Sequence, residues 1–208
     1  NSGVRDLGEV NIFEESYREY KQTKKTKLNE IYWKKLELTN NETATTNKWL
    51  FNYQYTGIIA KAIPNAKIIH CYRNPLDNIL STYRAHFATG NNFSSSLVDS
   101  AKVYSDQDEI MRTYKKEFKN QIYSLNYDKL VTHPSDEIKS LIHWLGWSWN
   151  DLYLSPHLNK RKVSTRSNVQ VRSPINAKSL GGWKNYKEML KPAMEIITKK
   201  EKYKNLKY

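Results

Sequence analysis

Residues 67–83 read KIIHCYRNPLDNILSTY and contain the strongest local signal in this 208-residue chain. The nearly continuous apolar run that opens this segment predicts a short β-strand buried on both faces, as in the centre of a parallel sheet. Asn74 and Pro75 then supply an N-cap and a first-turn proline, which predict a helix that runs to about residue 86. Arg73 therefore stands at the carboxyl end of a strand, directly before a helix begins.

The rest of the chain alternates between helical and strand patterns. Residues 121–127 predict a second strand, and residues 28–38 fit either a helix or an irregular piece. Further helices are predicted near residues 11–21, 47–63, 94–118, 133–146 and 186–199, and Asn11 followed by Glu14 resembles a capping box at the first of them. Strand–helix–strand order with long connections predicts one α/β domain over residues 1–208, with three α/β/α layers and a central parallel sheet.

Two side chains stand where such a fold binds ligands, beyond the carboxyl ends of its strands. Arg73 follows the first strand and Tyr127 the second. Helix N-termini attract anions, and arginine offers a fork of donors suited to phosphate. Ser81 lies about 12 Å farther along the helix at 1.5 Å per residue, so only a long arginine lets both reach one phosphate. The alternative is that Arg73 forms a surface ion pair and Ser81 has no ligand.

Composition limits the remaining function classes. The chain has 34 Lys and Arg against 21 Asp and Glu, a formal net charge of +13, which suits an anionic partner or lysines spread over solvated faces. It has no nucleic-acid recognition signature, and residues 199–208 are predicted as a basic tail. The single Cys71 excludes an internal disulfide and a zinc ribbon. No apolar run approaches membrane-spanning length and no signal-peptide pattern opens the chain, so a cytoplasmic location is predicted.

The segment RNPLDNILSTY resembles the R-[DN]-P-x-D-x-x-x-S-x-Y motif of the sulfotransferase superfamily, whose members use 3′-phosphoadenosine 5′-phosphosulfate (PAPS). The resemblance implies a P-loop-like α/β fold in which Arg73 and Ser81 hold the 3′-phosphate of this cosubstrate. Residues 127–130, YDKL, are similar to the family's Y-E-x-L segment, which implies that Tyr127 lies beside the adenine.

Residues 164–186, STRSNVQVRSPINAKSLGGWKNY, resemble the C-terminal cofactor loop of the tyrosylprotein and tetratricopeptide-linked sulfotransferases. By this resemblance Ser167 approaches the cofactor phosphates or the adenine. Arg172 or Lys178 supplies positive charge, and Trp183 closes the loop. The ordered set of matches is more specific than any one of them.

Two shorter matches imply the catalytic groups. In the family's Gly-Glu pair, matched by residues 8–9, the glutamate is the general base, which assigns Glu9 to this role. In the family's Asn/Asp-Lys pair, matched by residues 47–48, the lysine contacts the sulfuryl oxygens, which assigns Lys48. The alternative is that both are solvated surface charges. The implied reaction moves a sulfuryl group from PAPS to a hydroxyl or amine of a small molecule, glycan or peptide, without a metal and without a specific nucleic acid.

The chain also departs from the family pattern. It lacks the Arg-Ser-Gly-Thr-Thr loop that grips the 5′-phosphosulfate, and Gly182 replaces the lysine next to the loop tryptophan. We therefore expect a fragment without the N-terminal strand and loop, impaired in catalysis. The alternatives are a non-catalytic basic module that binds a nucleotide, RNA or an acidic glycan, and a nucleotide kinase relative. A kinase would need a glycine-rich loop and a magnesium-binding carboxylate, which the sequence does not show.

Overall fold

The computed structural model describes residues 3–37, 44–85, 87, 90–159 and 172–206. They fall into two units. The first takes the described residues of Asn1–Ile68 together with Ile110–Gln121, and the second those of Ile69–Glu109 and Ile122–Tyr208.

The first unit contains a pair of parallel strands. Strand β1 (Val4–Glu9) pairs with β2 (Ala44–Lys48), and the register sets Glu9 opposite Lys48. The helices are α1 (Ile12–Thr23), α2 (Leu28–Leu36) and α3 (Thr56–Ala62), with a 3₁₀ helix at Leu50–Tyr55. Buried apolar and aromatic side chains form its core: Phe13, Leu28, Tyr32, Leu36 and Ile63.

The second unit contains strand β3 (Ile68–Tyr72), which pairs with β4 (Ile122–Asn126). Its helices are α4 (Pro75–Ala85), most of α5 (Leu97–Glu117), α6 (Tyr127–Thr132), α7 (Pro134–Leu145) and α8 (Lys187–Ile197). Short 3₁₀ helices occur at Asn92–Ser95, Asp151–Leu154, Pro156–Leu158, Gly182–Tyr186 and Glu201–Tyr203. Its core is a cluster of buried side chains: Leu76, Ile79, Leu80, Ala101, Tyr104, Trp183, Leu190, Ala193, Met194, Ile197 and Tyr203.

Several predicted elements are confirmed where local signals are strong. Helix α4 begins at Pro75 after the Asn74 cap. Helix α7 begins at Pro134 and ends at Leu145, before Gly146, whose φ of 75° is the left-handed conformation that glycine adopts without steric cost. These signals lie within a few residues of the element they specify, so they do not depend on distant packing.

Three details of the sequence prediction are wrong. Residues 47 and 48 belong to strand β2, because the polar run ATTNK pairs with β1 although it has no apolar alternation. Asn11 makes no side-chain cap hydrogen bond, so the predicted capping box is absent from α1. Strand β3 is not buried on both faces: Ile69 is 39% exposed and Cys71 is exposed.

The last described residues pack on the second unit. Tyr203 is buried in the core, and Lys202 pairs with Asp108 at 2.7 Å. Lys200 likewise pairs with Glu109 at 2.5 Å. None of the helices in the described ranges combines the length and the apolar composition needed to cross a membrane.

Candidate functional site

The turn between β3 and α4 is fixed by the Asn74 side chain. Its Oδ1 accepts hydrogen bonds from the backbone N–H groups of Leu76, at 3.0 Å, and Asp77, at 3.2 Å. The Asn74 N–H itself donates to Asp128 Oδ2 at 2.8 Å. Because the cap occupies these helix N–H groups, they are not open to an anion.

The Arg73 side chain contacts a loop carbonyl and an aromatic ring. Its Nη2 donates to the Ser179 carbonyl at 2.7 Å, and its Cζ lies 5.0 Å from the centre of the Tyr127 ring. The hydroxyl groups of Tyr127 and Ser179 are 2.8 Å apart and share a hydrogen bond. The Arg73 side chain is only 17% exposed, and its Nε is buried without a hydrogen-bond partner within the described residues. The structure thus brings two predicted ligand residues, Arg73 and Tyr127, into contact.

Asp77 is the residue that sequence reasoning missed. It is a charged side chain, yet it is only 4% exposed. Its Oδ2 accepts the Gly181 N–H at 2.7 Å and its Oδ1 accepts the Trp183 N–H at 3.0 Å. Its partners lie more than one hundred residues away in sequence. Two local signals point to it: it is the aspartate of the R-[DN]-P-x-D motif, and it follows Arg73 by four residues, the spacing of a helical ion pair.

A buried tyrosine pair supports the backbone of Arg73. The Tyr104 hydroxyl donates to the Arg73 carbonyl at 3.0 Å and lies 3.3 Å from the Tyr203 hydroxyl. Because Tyr104 has one hydroxyl proton and donates it to the carbonyl, Tyr203 is the donor between the two hydroxyls. Burial raises the pKa of Tyr104 above its ordinary value and raises the pKa of Tyr203 to about 12. Both groups therefore stay neutral at physiological pH.

The other predicted cosubstrate residues are more dispersed. Ser81 is exposed on α4 and, within the described part of the chain, makes no hydrogen bond with Arg73. Lys178 is exposed, and Arg172 is exposed and donates to the Asn159 carbonyl. Trp183 is buried in the core of the second unit. Ser167 lies outside the described residues. Ligand contacts of these five residues remain predictions.

The two predicted catalytic residues meet within the first unit. Lys48 Nζ lies 2.5 Å from Glu9 Oε1 where β1 and β2 end, and the side chains are 66% and 39% exposed, respectively. The register of the pair shifts between Asp6 and Glu9. Gly8 has a φ of 74° in this shift, and its N–H donates to Asp6 Oδ1 at 2.8 Å. The left-handed glycine forms the bulge that precedes Glu9.

A groove of about 510 Å³ borders α6 and α7. Three carboxylates line it, those of Asp128, Asp136 and Glu137, beside Lys129 and His133. Its excess of acidic side chains makes it a poor phosphate site. Within the described ranges, no group of three His, Cys, Asp or Glu side chains is arranged to hold a metal ion.

Comparison with known proteins decides the family. The sequence model of the sulfotransferase family matches residues 9–151, more than half of the chain. The chain belongs to the sulfotransferase family. The resemblance seen in the sequence is thereby confirmed.

Two relatives are similar in sequence to most of this sulfotransferase chain. It is 34% identical over 164 residues to an uncharacterized protein of Aquifex aeolicus (strain VF5), covering 77% of this chain and 22% of that protein. It is 27% identical over 145 residues to protein-tyrosine sulfotransferase 1 of Danio rerio, covering 66% of this chain and 41% of that protein. The chain therefore spans less than half the length of either relative.

A solved structure supports the fold. The sulfotransferase domain from the curacin biosynthetic pathway matches with a TM-score of 0.52 and 12% identity, covering 90% of this chain and 77% of that chain. At this identity the match concerns the fold alone. Together with the family match, it confirms the α/β sulfotransferase fold that the sequence predicts.

Proposed function

We propose that this sulfotransferase domain binds PAPS and takes part in moving its sulfuryl group to a hydroxyl or amine of an acceptor, whether a small molecule, a glycan or a peptide. The observation that carries the proposal is the corner where Arg73 lies against Tyr127 with its Nε buried and unpartnered among the described residues. An unpaired guanidinium N–H in a nearly buried site is costly, and a phosphate oxygen would satisfy it.

In this proposal the Arg73 corner binds the 3′-phosphate and the adenine, which are common to PAPS and to its product adenosine 3′,5′-bisphosphate. Arg73 holds the 3′-phosphate through its Nε, which has no hydrogen-bond partner among the described residues, while its Nη2 keeps the bond to the Ser179 carbonyl. Tyr127 lies beside the adenine, and Ser81 supplies a second phosphate contact from α4. The C-terminal loop completes the cosubstrate site through Ser167, Arg172 or Lys178, and Trp183. The neutral tyrosine pair behind the Arg73 carbonyl keeps the strand end in place.

The reaction needs a base and a positive charge. The acceptor oxygen or nitrogen attacks sulfur in line, the bond from sulfur to the bridging phosphate oxygen breaks, and adenosine 3′,5′-bisphosphate leaves with the electron pair. Glu9 takes the acceptor proton, an effect typically worth about 10²–10⁴-fold in rate. Lys48 offsets negative charge on the transferring group and the leaving oxygen. The ion pair between Glu9 and Lys48 holds the base and the positive charge together where β1 and β2 end.

The test is calorimetric titration of the chain with adenosine 3′,5′-bisphosphate. We expect saturable binding that Arg73→Ala weakens by about 30- to 160-fold, the effect of losing a charge-assisted phosphate contact of roughly 2–3 kcal/mol. Arg84→Ala is the matched control, because Arg84 is an exposed arginine on the same helix. It should change the affinity less than twofold, the range of a screened surface charge.

The opposite outcome supports a binding module. If the bisphosphate gives no heat while RNA binds with a steep dependence on salt, the chain recognises phosphodiester backbones rather than this nucleotide. Equal losses in the Arg73 and Arg84 variants would also contradict the proposed site, because they would indicate general electrostatic attraction.

A further inference from the structure

Asp77 is a buried carboxylate whose burial requires compensation. It lies in the first turn of α4, and 4% of its side chain is exposed. A carboxylate taken out of water destabilises the folded chain unless hydrogen bonds and positive charge replace its hydration. The helix N-terminus supplies part of that charge, and the remaining partners come from a distant loop.

Both carboxylate oxygens bind the backbone of one loop. Gly181 donates to Oδ2 at 2.7 Å and Trp183 donates to Oδ1 at 3.0 Å. Gly181 has a φ of 67°, a left-handed conformation, and this turn directs two N–H groups that are two residues apart to a single side chain. Asp77 therefore fixes residues 181–183 to the first turn of α4.

The same carboxylate acts on Arg73 in two ways. Its Oδ2 lies 3.8 Å from Arg73 Nη2, which is an ion-pair distance but too long for a hydrogen bond. The loop that it fixes also carries Ser179, whose carbonyl accepts from that same Nη2 at 2.7 Å. Asp77 thus restricts the position of the Arg73 guanidinium in two ways, through its own negative charge and through the loop that it fixes.

We infer that Asp77 is a positioning residue for 3′-phosphate recognition. It holds the Arg73 guanidinium and the 179–183 loop in one arrangement, so that the phosphate meets an ordered donor. The inference rests on the proposed function and goes beyond it, because Asp77 itself carries the wrong charge to contact a phosphate. Because Asp77 acts through Arg73, a substitution of Asp77 should weaken recognition of the 3′-phosphate in particular. A substitution of a purely structural residue would weaken the binding of all nucleotides alike.

The experiment measures selectivity rather than affinity alone. Adenosine 3′,5′-bisphosphate and adenosine 5′-monophosphate differ only by the 3′-phosphate. The ratio of the monophosphate Kd to the bisphosphate Kd therefore measures how strongly the 3′-phosphate is recognised. Asp77→Asn keeps the size of the side chain but loses the charge, and an NH₂ group replaces one of the two oxygens that accept from the loop N–H groups. We expect the ratio to fall about tenfold, the order of one charge-assisted contact. Asp77→Glu, which keeps the charge, should lose less than Asp77→Asn.

The control is Asp99→Asn, because Asp99 is also in the first turn of a helix and pairs with a cation, Lys102, at 3.2 Å, but lies on α5. It should leave the ratio unchanged. Melting temperatures of all variants are measured first, and Asp77→Ser replaces Asp77→Asn if the latter is unfolded at the assay temperature. An unchanged ratio in a folded Asp77 variant overturns this inference while the proposed function stands. A wild-type ratio near one overturns both.

Discussion

The Arg73 corner and the Glu9–Lys48 pair hold their charges in opposite ways. Arg73 is nearly buried, stacks on Tyr127 and bonds to Ser179, and its backbone bonds to Tyr104. Glu9 and Lys48 are both exposed, and Lys48 reaches only across the end of a two-stranded sheet. Buried charges interact in a medium of low dielectric constant, while exposed ones are screened by water and salt.

The difference shows what each region can contribute. A side chain fixed by several buried contacts is ordered before a ligand arrives, so little conformational freedom is lost on binding. An exposed pair contributes little to folding and its side chains can move, which suits groups that must exchange partners and protons during a reaction. The fixed corner therefore suits recognition, and the exposed pair suits chemistry.

The largest expected effect concerns the core beneath the corner. Leu76 is fully buried on α4, and Leu76→Ala should lower the free energy of unfolding by about 2–5 kcal/mol because it leaves a cavity. Leu152→Ala is the control, since Leu152 is 66% exposed in the same unit, and should change stability by less than about 0.5 kcal/mol. Urea unfolding checks both. Similar losses in the two variants would show that the corner does not rest on a tightly packed core.

An intermediate effect is expected at alkaline pH. The pKa of Tyr203 is raised to about 12 and that of Tyr104 is raised as well, so the folded state retains protons that the unfolded state loses near pH 10. The stability that these tyrosines contribute is complete below pH 10. It is lost as the pH rises towards 12, with a slope of about 1.4 kcal/mol per pH unit for each tyrosine.

Urea unfolding at several pH values between 9 and 11.5 checks this slope. Tyr203→Phe should remove the share of one tyrosine, whereas Tyr186→Phe, at a side chain that is 41% exposed, should leave the slope unchanged. If wild type and Tyr203→Phe lose stability in parallel above pH 10, the buried tyrosine pair does not support the Arg73 strand end in the way described.

The smallest expected effect is at the exposed pair. A double-mutant cycle with Glu9→Gln and Lys48→Met should give a coupling free energy below about 1 kcal/mol, and less at high salt. The corresponding cycle of Arg73→Met and Asp77→Asn should give a larger value, since the Asp77 side chain is buried and that of Arg73 is only 17% exposed. A coupling of the Glu9–Lys48 pair above that of the Arg73–Asp77 pair would reverse the comparison.

The sequence predicted best where the signal is local. The Asn74 cap, the proline start of α4, the start and end of α7, and strands β3 and β4 all follow from neighbouring residues. Strand β2 was missed because ATTNK is a short polar strand whose only support is its pairing with β1. The apolar pattern that begins at the following 3₁₀ helix, Leu50–Tyr55, predicted a helix that also included residues 47 and 48.

The candidate site divides in the same way. Two separate motifs predicted Arg73 and Tyr127 as ligand residues, and their positions at two strand ends placed them in the same binding region. Two dipeptides predicted Glu9 and Lys48, but nothing in their spacing indicated the contact between them. Roles for these residues in binding and catalysis remain predictions. Family membership itself followed from the order of motifs, which is a property of the sequence alone.

Residue order by itself determined the family, the α/β class and the strand–turn–helix that carries Arg73, because those depend on short-range periodicity, capping and motif order. Only the tertiary structure decided that Asp77 is buried and binds a loop more than one hundred residues away, and that Arg73 lies against Tyr127 and bonds to Ser179. The physical reason is that burial and hydrogen-bond partners depend on which distant segments meet, and a local pattern holds no record of that.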